Sequence, residues 1–398
     1  MAMRETRKLK YLCYILDEYR KPISAEKRNQ NSDMLYDYYG ASGAIDKIDG
    51  YTIDDHVMLI GEDGANLVFR NLPLMYEVNG KAWINNHAHI LKPREDVDFY
   101  YLFYALENAD IFPFVTGSAQ PKLNQENLKL IPIPITNYET QKHIASFIKS
   151  KCKRIDSLIT DIQSQIEALE EYKKSLVFRI ISRGIKKASL KSTVSDVWTA
   201  IPETWELIDI KYVFEIVKRI AGQEGFDVLS VTQKGLKVKD IESNNGQQAE
   251  SYAGYQFVYP TDYVMNHMDL LTGWVDCSTM FGVTSPDYRV FRLRDKENND
   301  LTYFKYVMQC CYMSRIFYSL GQGVSNLGRW RLQTSAFNNF MIPVPPLDEQ
   351  RKIADYLDTK ISEIDIIIAE KKQQIETIEE YKKSLIFEYV TGKKEVQA

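Results

Sequence analysis

Several clusters in this sequence have side-chain types and spacings that could do chemistry. Asp54-Asp55-His56 and Glu62-Asp63 set carboxylates side by side. His87 and His89 stand two residues apart, so on a strand they would share a face and could hold a metal. Neither set is complete. No cysteine or carboxylate cluster adjoins the histidines, and solvated turn residues are the plainer reading of the acidic neighbours. Glycine-spaced loops (38–43, 61–66 and 117–124) invite a phosphate cradle, but no Gly-Lys-Ser/Thr ending follows them. Asn/Asp-Pro-Pro-Tyr, Gly-x-Ser-x-Gly and His-Glu-x-x-His are all missing from the sequence. What remains is a set of polar loop side chains suited to reading base edges. In the first half these are Tyr39, Ser42, Asn85, Gln120, Lys122 and Asn124. In the second half they are Gln233, Lys234, Ser325, Asn326, Arg329 and Arg331.

The elements that must position them are organised around a repeat. Glu170-Glu171-Tyr172-Lys173-Lys174-Ser175-Leu176 recurs as Glu379-Glu380-Tyr381-Lys382-Lys383-Ser384-Leu385, a shift of 209 positions (379 − 170). Upstream, Ile133-Pro134 falls on Ile342-Pro343, Gln141 on Gln350, Ile144-Ala145 on Ile353-Ala354 and Ile155-Asp156 on Ile364-Asp365. Roughly twenty of the 46 aligned positions are identical, so the chain is a tandem duplication.

Within the repeat, Ala145, Ile148, Cys152, Ile155, Ile159, Ile162 and Ile166 alternate spacings of three and four, as do Ala354, Leu357, Ile361, Ile364 and Ile368. A 3.5-residue period makes a seam that buries against another helix. Each copy follows prolines and predicts a helix of about 45 residues, about 65 Å long. The second helix begins where the second domain ends, so the pair is expected to run antiparallel as a coiled coil, with domains related by a pseudo-twofold axis.

At 398 residues, the chain accommodates two domains besides these helices. The expected division is 1–132 and 188–340 for the domains, with 133–187 and 341–398 as the helical spacers. Net charge is −4 and no segment is strongly basic, so any DNA grip must be local or shared with a partner. Five scattered cysteines without a Cys-x-x-Cys pair suit a reducing cytoplasm rather than a zinc ribbon, and no membrane-spanning run occurs.

Residues 1–132 read as mixed α/β. Strands are expected at 9–16, 57–60, 66–69 and 82–84, and a helix over 99–107. Ile210-Lys211-Tyr212-Val213 matches Leu9-Lys10-Tyr11-Leu12, so the duplication reaches the domains' first elements. Further in, the letters diverge. Lys122 and Arg331 nevertheless fall at equivalent places, followed by Leu123 and Leu332.

Two variable domains separated by two long repeated helices resemble the specificity (S) subunit of type I restriction–modification systems. The Ile-Pro…Gln…Ile-Ala…Ile-Asp…Glu-Glu-Tyr-Lys-Lys-Ser-Leu segments resemble that family's conserved regions. Gly61 to Ala65, Trp83 to His89 and Gln120 to Asn124 resemble one type of target recognition domain, and 259–266 with 282–288 resemble another. The first domain departs from the pattern in lacking a start like Pro202-Glu203-Thr204-Trp205-Glu206.

The resemblance implies an α+β fold and a non-enzymatic DNA reader. Each domain would bind one half of a bipartite, asymmetric site in double-stranded DNA, with the helices fixing a gap of about one turn centre to centre. Two modification (methyltransferase) subunits would dock on the helices, around Tyr172, Lys173, Tyr381 and Lys382, and restriction subunits would join them. S-adenosylmethionine, ATP and Mg would be bound by those partners, none by this chain. Two other classes compete. A coiled-coil adaptor would show no DNA sequence preference, and an enzyme with an unrecognised active site would bind a cofactor alone.

Overall fold

The computed structural model describes residues 4–24, 26, 34–117, 119–240, 249–323 and 330–396. The chain forms two compact units, Met1–Gln163 with Lys372–Ala398, and Ser164–Lys371. Each unit therefore takes one globular domain and part of both long helices.

The first unit contains β1 (Thr6–Lys8), β2 (Cys13–Ile15), β3 (Tyr36–Gly40), β4 (Gly43–Ile48), β5 (Ile53–Gly61), α1 (Asn66–Phe69), β6 (Met75–Ile84), β7 (Ala88–Pro93), α2 (Phe99–Glu107), α3 (Gln125–Leu128) and β8 (Pro132–Pro134). Six strands form one sheet in the order β2-β7-β5-β6-β3-β4, and β1 pairs with β8. Strand alternation is visible in β6, where Val78, Ala82 and Ile84 are buried on one face and Glu77, Asn79 and Lys81 are exposed on the other.

The helices α4 (Tyr138–Arg183) and α9 (Leu347–Thr391), 46 and 45 residues long, each contribute one part to either unit. The second unit adds β9 (Leu190–Ser192), β10 (Ala200–Pro202), β11 (Glu206–Asp209), α5 (Ile210–Val213), β12 (Phe214–Val217), β13 (Leu229–Thr232), β14 (Gly235–Val238), β15 (Gln256–Val258), β16 (Tyr263–Met265), β17 (Val275–Cys277), β18 (Gly282–Thr284), β19 (Arg289–Leu293), α6 (Leu301–Met313), α7 (Ile316–Ser319), α8 (Thr334–Asn338) and β20 (Met341–Val344). Its main sheet is β12-β19-β16-β17, with β11 paired to β20.

Within each unit the two long helices pack antiparallel. In the first, Lys382 reaches Asp156 at 2.6 Å; in the second, Lys173 reaches Asp365 at 2.6 Å and Lys371 reaches Gln165 at 2.6 Å. The apolar seam is buried at Cys152, Ile155, Ile162, Ile166, Leu357, Ile364 and Ile368. Lysines at the polar seam positions lay their stems along it and send the ammonium across to the facing helix. Gly184 and Gly392 follow the two helix ends at φ +75° and +82°, the left-handed conformation that ends a helix at least cost to glycine.

The repeated glutamine now has a role. Gln141 and Gln350 are each 1% exposed. Gln141 accepts the Asp98 N–H at 2.9 Å and donates to Thr136 O at 2.8 Å; Gln350 accepts the Asp300 N–H at 2.8 Å and donates to Pro345 O at 2.9 Å. Asp98 and Asp300 in turn cap α2 and α6. One buried amide in each unit thus locks the root of a long helix to the start of a domain helix. Replacing Gln141 with leucine leaves the Asp98 N–H and Thr136 O without it and should cost about 2–3 kcal/mol, read from the denaturation midpoint.

Two expected strands and one expected turn need correction. Asn66–Phe69 is helical, because a short apolar run of four carries no period to separate helix from strand. Residues 9–16 break into a 3-10 turn at Leu9–Tyr11 before β2, and the matching 210–213 stretch is the one-turn α5. Asp54 to His56 lie on β5 rather than in a turn.

Candidate nucleic-acid interface

In the first unit the three glycine-spaced loops come together. A side chain at Gly61 would put its Cβ 2.7 Å from Ala41 O, so only glycine lets the β5 end approach the β3–β4 turn carrying Ser42. Asp63 bridges to Lys122, and the Gly64 N–H donates to Pro121 O at 3.0 Å. Lys122 exchanges both backbone hydrogen bonds with Thr116, at 2.7 and 2.8 Å, which presents its side chain outward. Ser42, Gln120 and Lys122 are exposed there, and Tyr39 is half-buried.

Beneath these loops lies an ionic network. Asp17 takes His89 Nδ1 at 2.7 Å, the Ile90 N–H at 3.1 Å and Gln125 Nε2 at 3.1 Å. His89, 1% exposed, also contacts Leu123 O through Nε2 at 2.8 Å. Glu62 pairs with Arg20 and, at 3.1 Å, with Lys122. Burial alone would raise the Glu62 carboxyl, but hydrogen bonds from Arg20 and Lys122 and the nearby charge hold it below the usual carboxylate value.

Some expected readers turn out to be structural. Asn85 is 5% exposed and its Oδ1 accepts the His87 N–H at 2.7 Å, so it holds a turn. Asn124 caps α3 by accepting the Asn127 N–H at 2.8 Å. His87 lies in the turn before β7 and pairs with Asp63 at 2.7 Å, while His89 points to Asp17, so the two do not converge as metal ligands would.

Strand register reveals the corresponding place in the second unit. Ile15 lies opposite Leu91, and Ile216 opposite Phe291, which makes His89 and Arg289 equivalent. Ile60 pairs with His89 and Met265 with Arg289, so Glu62 corresponds to His267, two residues on. The hydrogen bonds agree. Leu123 N–H donates to Glu62 O at 2.7 Å, and Leu332 N–H to His267 O at 3.0 Å. Arg289 Nη2 donates to Leu332 O at 3.1 Å, as His89 contacts Leu123 O. Arg331 exchanges two backbone bonds with Gln322, both 3.0 Å, as Lys122 does with Thr116. Gln233 and Lys234 form the exposed tip of the β13–β14 hairpin, which rests on Asp276 of β17 through Leu236 N–H. Ser325, Asn326 and Arg329 lie outside the described residues.

The family model for the type I restriction modification DNA specificity domain matches this chain twice, over residues 3–168 and 202–377. The chain belongs to that DNA specificity family. Its two specificity domains coincide with the duplicated frame. A putative type I restriction enzyme specificity subunit from Haemophilus influenzae is 32% identical over 144 residues, 36% of this chain and 36% of its own length. The type I restriction enzyme MjaVIII specificity subunit of Methanocaldococcus jannaschii is 26% identical over 75% of this chain and 70% of its own. A solved structure titled for complex assembly and conformational transition of the type I R-M system has the same fold, with TM-score 0.67, 13% identity and 98% of each chain covered. No helix among the described residues is long and apolar enough to cross a membrane.

In this specificity protein the duplicated Lys173 and Lys382 are both engaged within the chain. Each is tied to the facing helix of its own unit, by pairs that the 209-residue repeat interchanges: Lys173 with Asp365, Lys382 with Asp156. The adjacent Tyr172 and Tyr381 are outward, 56% and 59% exposed. The root positions His89, Arg289, Glu62 and His267 escape a sequence comparison because their letters differ; only register aligns them.

His267 gives a pH test. Burial, then the charges of Arg289 and Arg331, pull its imidazole from 6.5 down to about 3. Below pH 6.5 the unfolded chain takes up a proton that the folded chain refuses, so stability falls as pH drops toward 3 and is unaffected above 6.5. Between pH 7 and 5 the wild type should lose about 2 kcal/mol more than His267→Gln, measured from denaturant midpoints. Equal losses would remove this assignment.

Proposed function

We propose that each unit reads one half of a bipartite, asymmetric site in double-stranded DNA, and that the chain itself performs no catalysis. The observation that carries this is a repeated frame fitted with unlike loops. The anchor points recur: Gln141 and Gln350, and Tyr101 and Tyr303, whose hydroxyls donate to Pro134 O and Pro343 O at 3.0 and 2.9 Å. The loops hung on the frame differ in length, sequence and charge. One frame with two loop sets suits one task done on two targets.

On this reading two modification subunits dock on the long helices, where Tyr172 and Tyr381 offer equivalent exposed rings, and restriction subunits join them. S-adenosylmethionine, ATP and Mg belong to those partners. Exposed Lys122 and Arg331 face DNA together with Gln120 and Ser42, and the acidic net charge fits a protein that grips DNA only within such an assembly.

The experiment is a domain exchange. Residues 1–130 are replaced by those of a related protein, and methylated sites are mapped genome-wide. One half-site should change and the other persist. A change in both, or methylation without sequence preference, would sink the two-reader account and favour an adaptor.

A further inference from the structure

The two equivalent loop roots differ in one respect that bears on what they bind. In the first unit a carboxylate, Glu62, sits at the root and pairs with Lys122 at 3.1 Å and lies 3.9 Å from His89. In the second unit His267 takes the place of Glu62, and its neighbours are Arg289 and Arg331. Arg289 is 4% exposed, stacks on Phe337 at 4.5 Å and donates to Leu332 O and Thr334 Oγ1. Among the described residues its Nη1 has no partner, and neither has Nδ1 of His267, itself 7% exposed. Asp17, which pairs with His89 in the first root, lies two residues past Ile15; the same step past Ile216 reaches Lys218, an exposed lysine and not a carboxylate.

A buried guanidinium without a carboxylate is costly, and unpaired buried donors are rare in folded proteins. Burial and the second cation, Arg331, pull Arg289 down to about 10, so it is still charged at neutral pH. The first root is complete as it stands; among the described residues the second is a positive site with no carboxylate paired to it.

From this difference we infer that the Arg331–Arg289–His267 root of the second unit is a phosphate site. It takes one backbone phosphate of the DNA beside the second half-site, where the first unit supplies Glu62 from its own chain. Arg331 touches the phosphate; Arg289 and His267 position the loop and supply charge and donors beneath it. The inference rests on the DNA-reading function proposed above and adds an asymmetry to it: both cations face DNA, but Glu62 already offsets part of the charge of Lys122, while Arg331 is left to the phosphate.

The test uses the protein assembled with its methyltransferase partners and a duplex carrying its mapped site. His267→Glu imports the first unit's carboxylate, and Arg331→Gln removes the exposed cation. Each should weaken binding about tenfold and lower the slope of log affinity against log salt by about one. Lys122→Gln should change both less. A methylphosphonate, which is neutral, is then placed at each phosphate flanking the second half-site in turn. At one position it should reproduce the loss in wild type and add nothing in Arg331→Gln. Wild-type affinity and salt slope in Arg331→Gln, with the complex assembled, would overturn the inference. So would additive losses at every methylphosphonate position. Failure of wild type to prefer its mapped site would instead defeat the underlying DNA-reading function, a separate and earlier readout.

Discussion

Trp205→Ala should destabilise the second unit by about 3–5 kcal/mol, whereas Arg4→Ala, at the equivalent place in the first, should cost about 1–2 kcal/mol. Thr6 pairs with Pro134 and Leu207 with Pro343, which are repeat equivalents, so Arg4 stands where Trp205 stands. The two residues close the same gap by different physics. Trp205 is fully buried, lies against Gly184 at the end of α4, and donates its indole N–H to Glu349 at 2.9 Å. Removing it opens a large cavity and strands a carboxylate. Arg4 instead sends its guanidinium to the last carbonyls of α9, Val390 O at 2.8 Å and Tyr389 O, while its N–H donates to Thr391 O at 3.0 Å. Its charge meets the negative end of the helix dipole, and water can replace part of that. Amide exchange read separately in α2 and α6 distinguishes the units. Trp205→Ala should speed exchange in α6 far more than Arg4→Ala speeds it in α2; equal effects would mean that the two starts are not the alternatives described.

That comparison shows where the sequence was legible. The long helices announce themselves, because an apolar 3.5 period over many turns has one physical solution and the repeat doubles the signal. The 99–107 helix was equally plain from its dense aromatic run, and it forms over those residues. The missing Trp start in the first domain was visible as a departure, but its replacement by Arg4 was not. A cation on carbonyls across the domain leaves no local pattern. Asn85 and Asn124 misled for the opposite reason. Their side chains suit base reading and equally suit turns and caps, and the backbone N–H groups of His87 and Asn127 claimed them. Lys173 and Lys382 belong to a repeated, charged motif, yet their partners lie across the seam on another helix, at a distance in sequence that no local reading reaches. The loop roots were the least legible. His89 and Arg289, or Glu62 and His267, share position without sharing chemistry, so letter matching passes over them and strand register recovers them.

The second large effect concerns the gap between half-sites. Both long helices cross from one compact unit to the other, α4 after Gln163 and α9 before Lys372. An insertion at those two points leaves every contact within a unit untouched, including Lys382 with Asp156 and Lys173 with Asp365. Adding one heptad to both helices keeps the apolar seam in phase and lengthens each by about 10 Å. At about 3.4 Å per base pair, the specificity protein should then methylate sites whose gap is about three pairs longer, and cease to methylate the original ones. Adding the heptad to one helix alone forces a mismatch, since the antiparallel partners can no longer meet in both units. One of the two lysine–aspartate pairs and its flanking seam residues must then separate. That variant should lose several kcal/mol of stability and most methylation. Methylome sequencing of the doubly and singly extended chains decides between a ruler and a tether. Retention of the original gap by an active, doubly extended protein would mean that the helices connect the readers without setting their spacing.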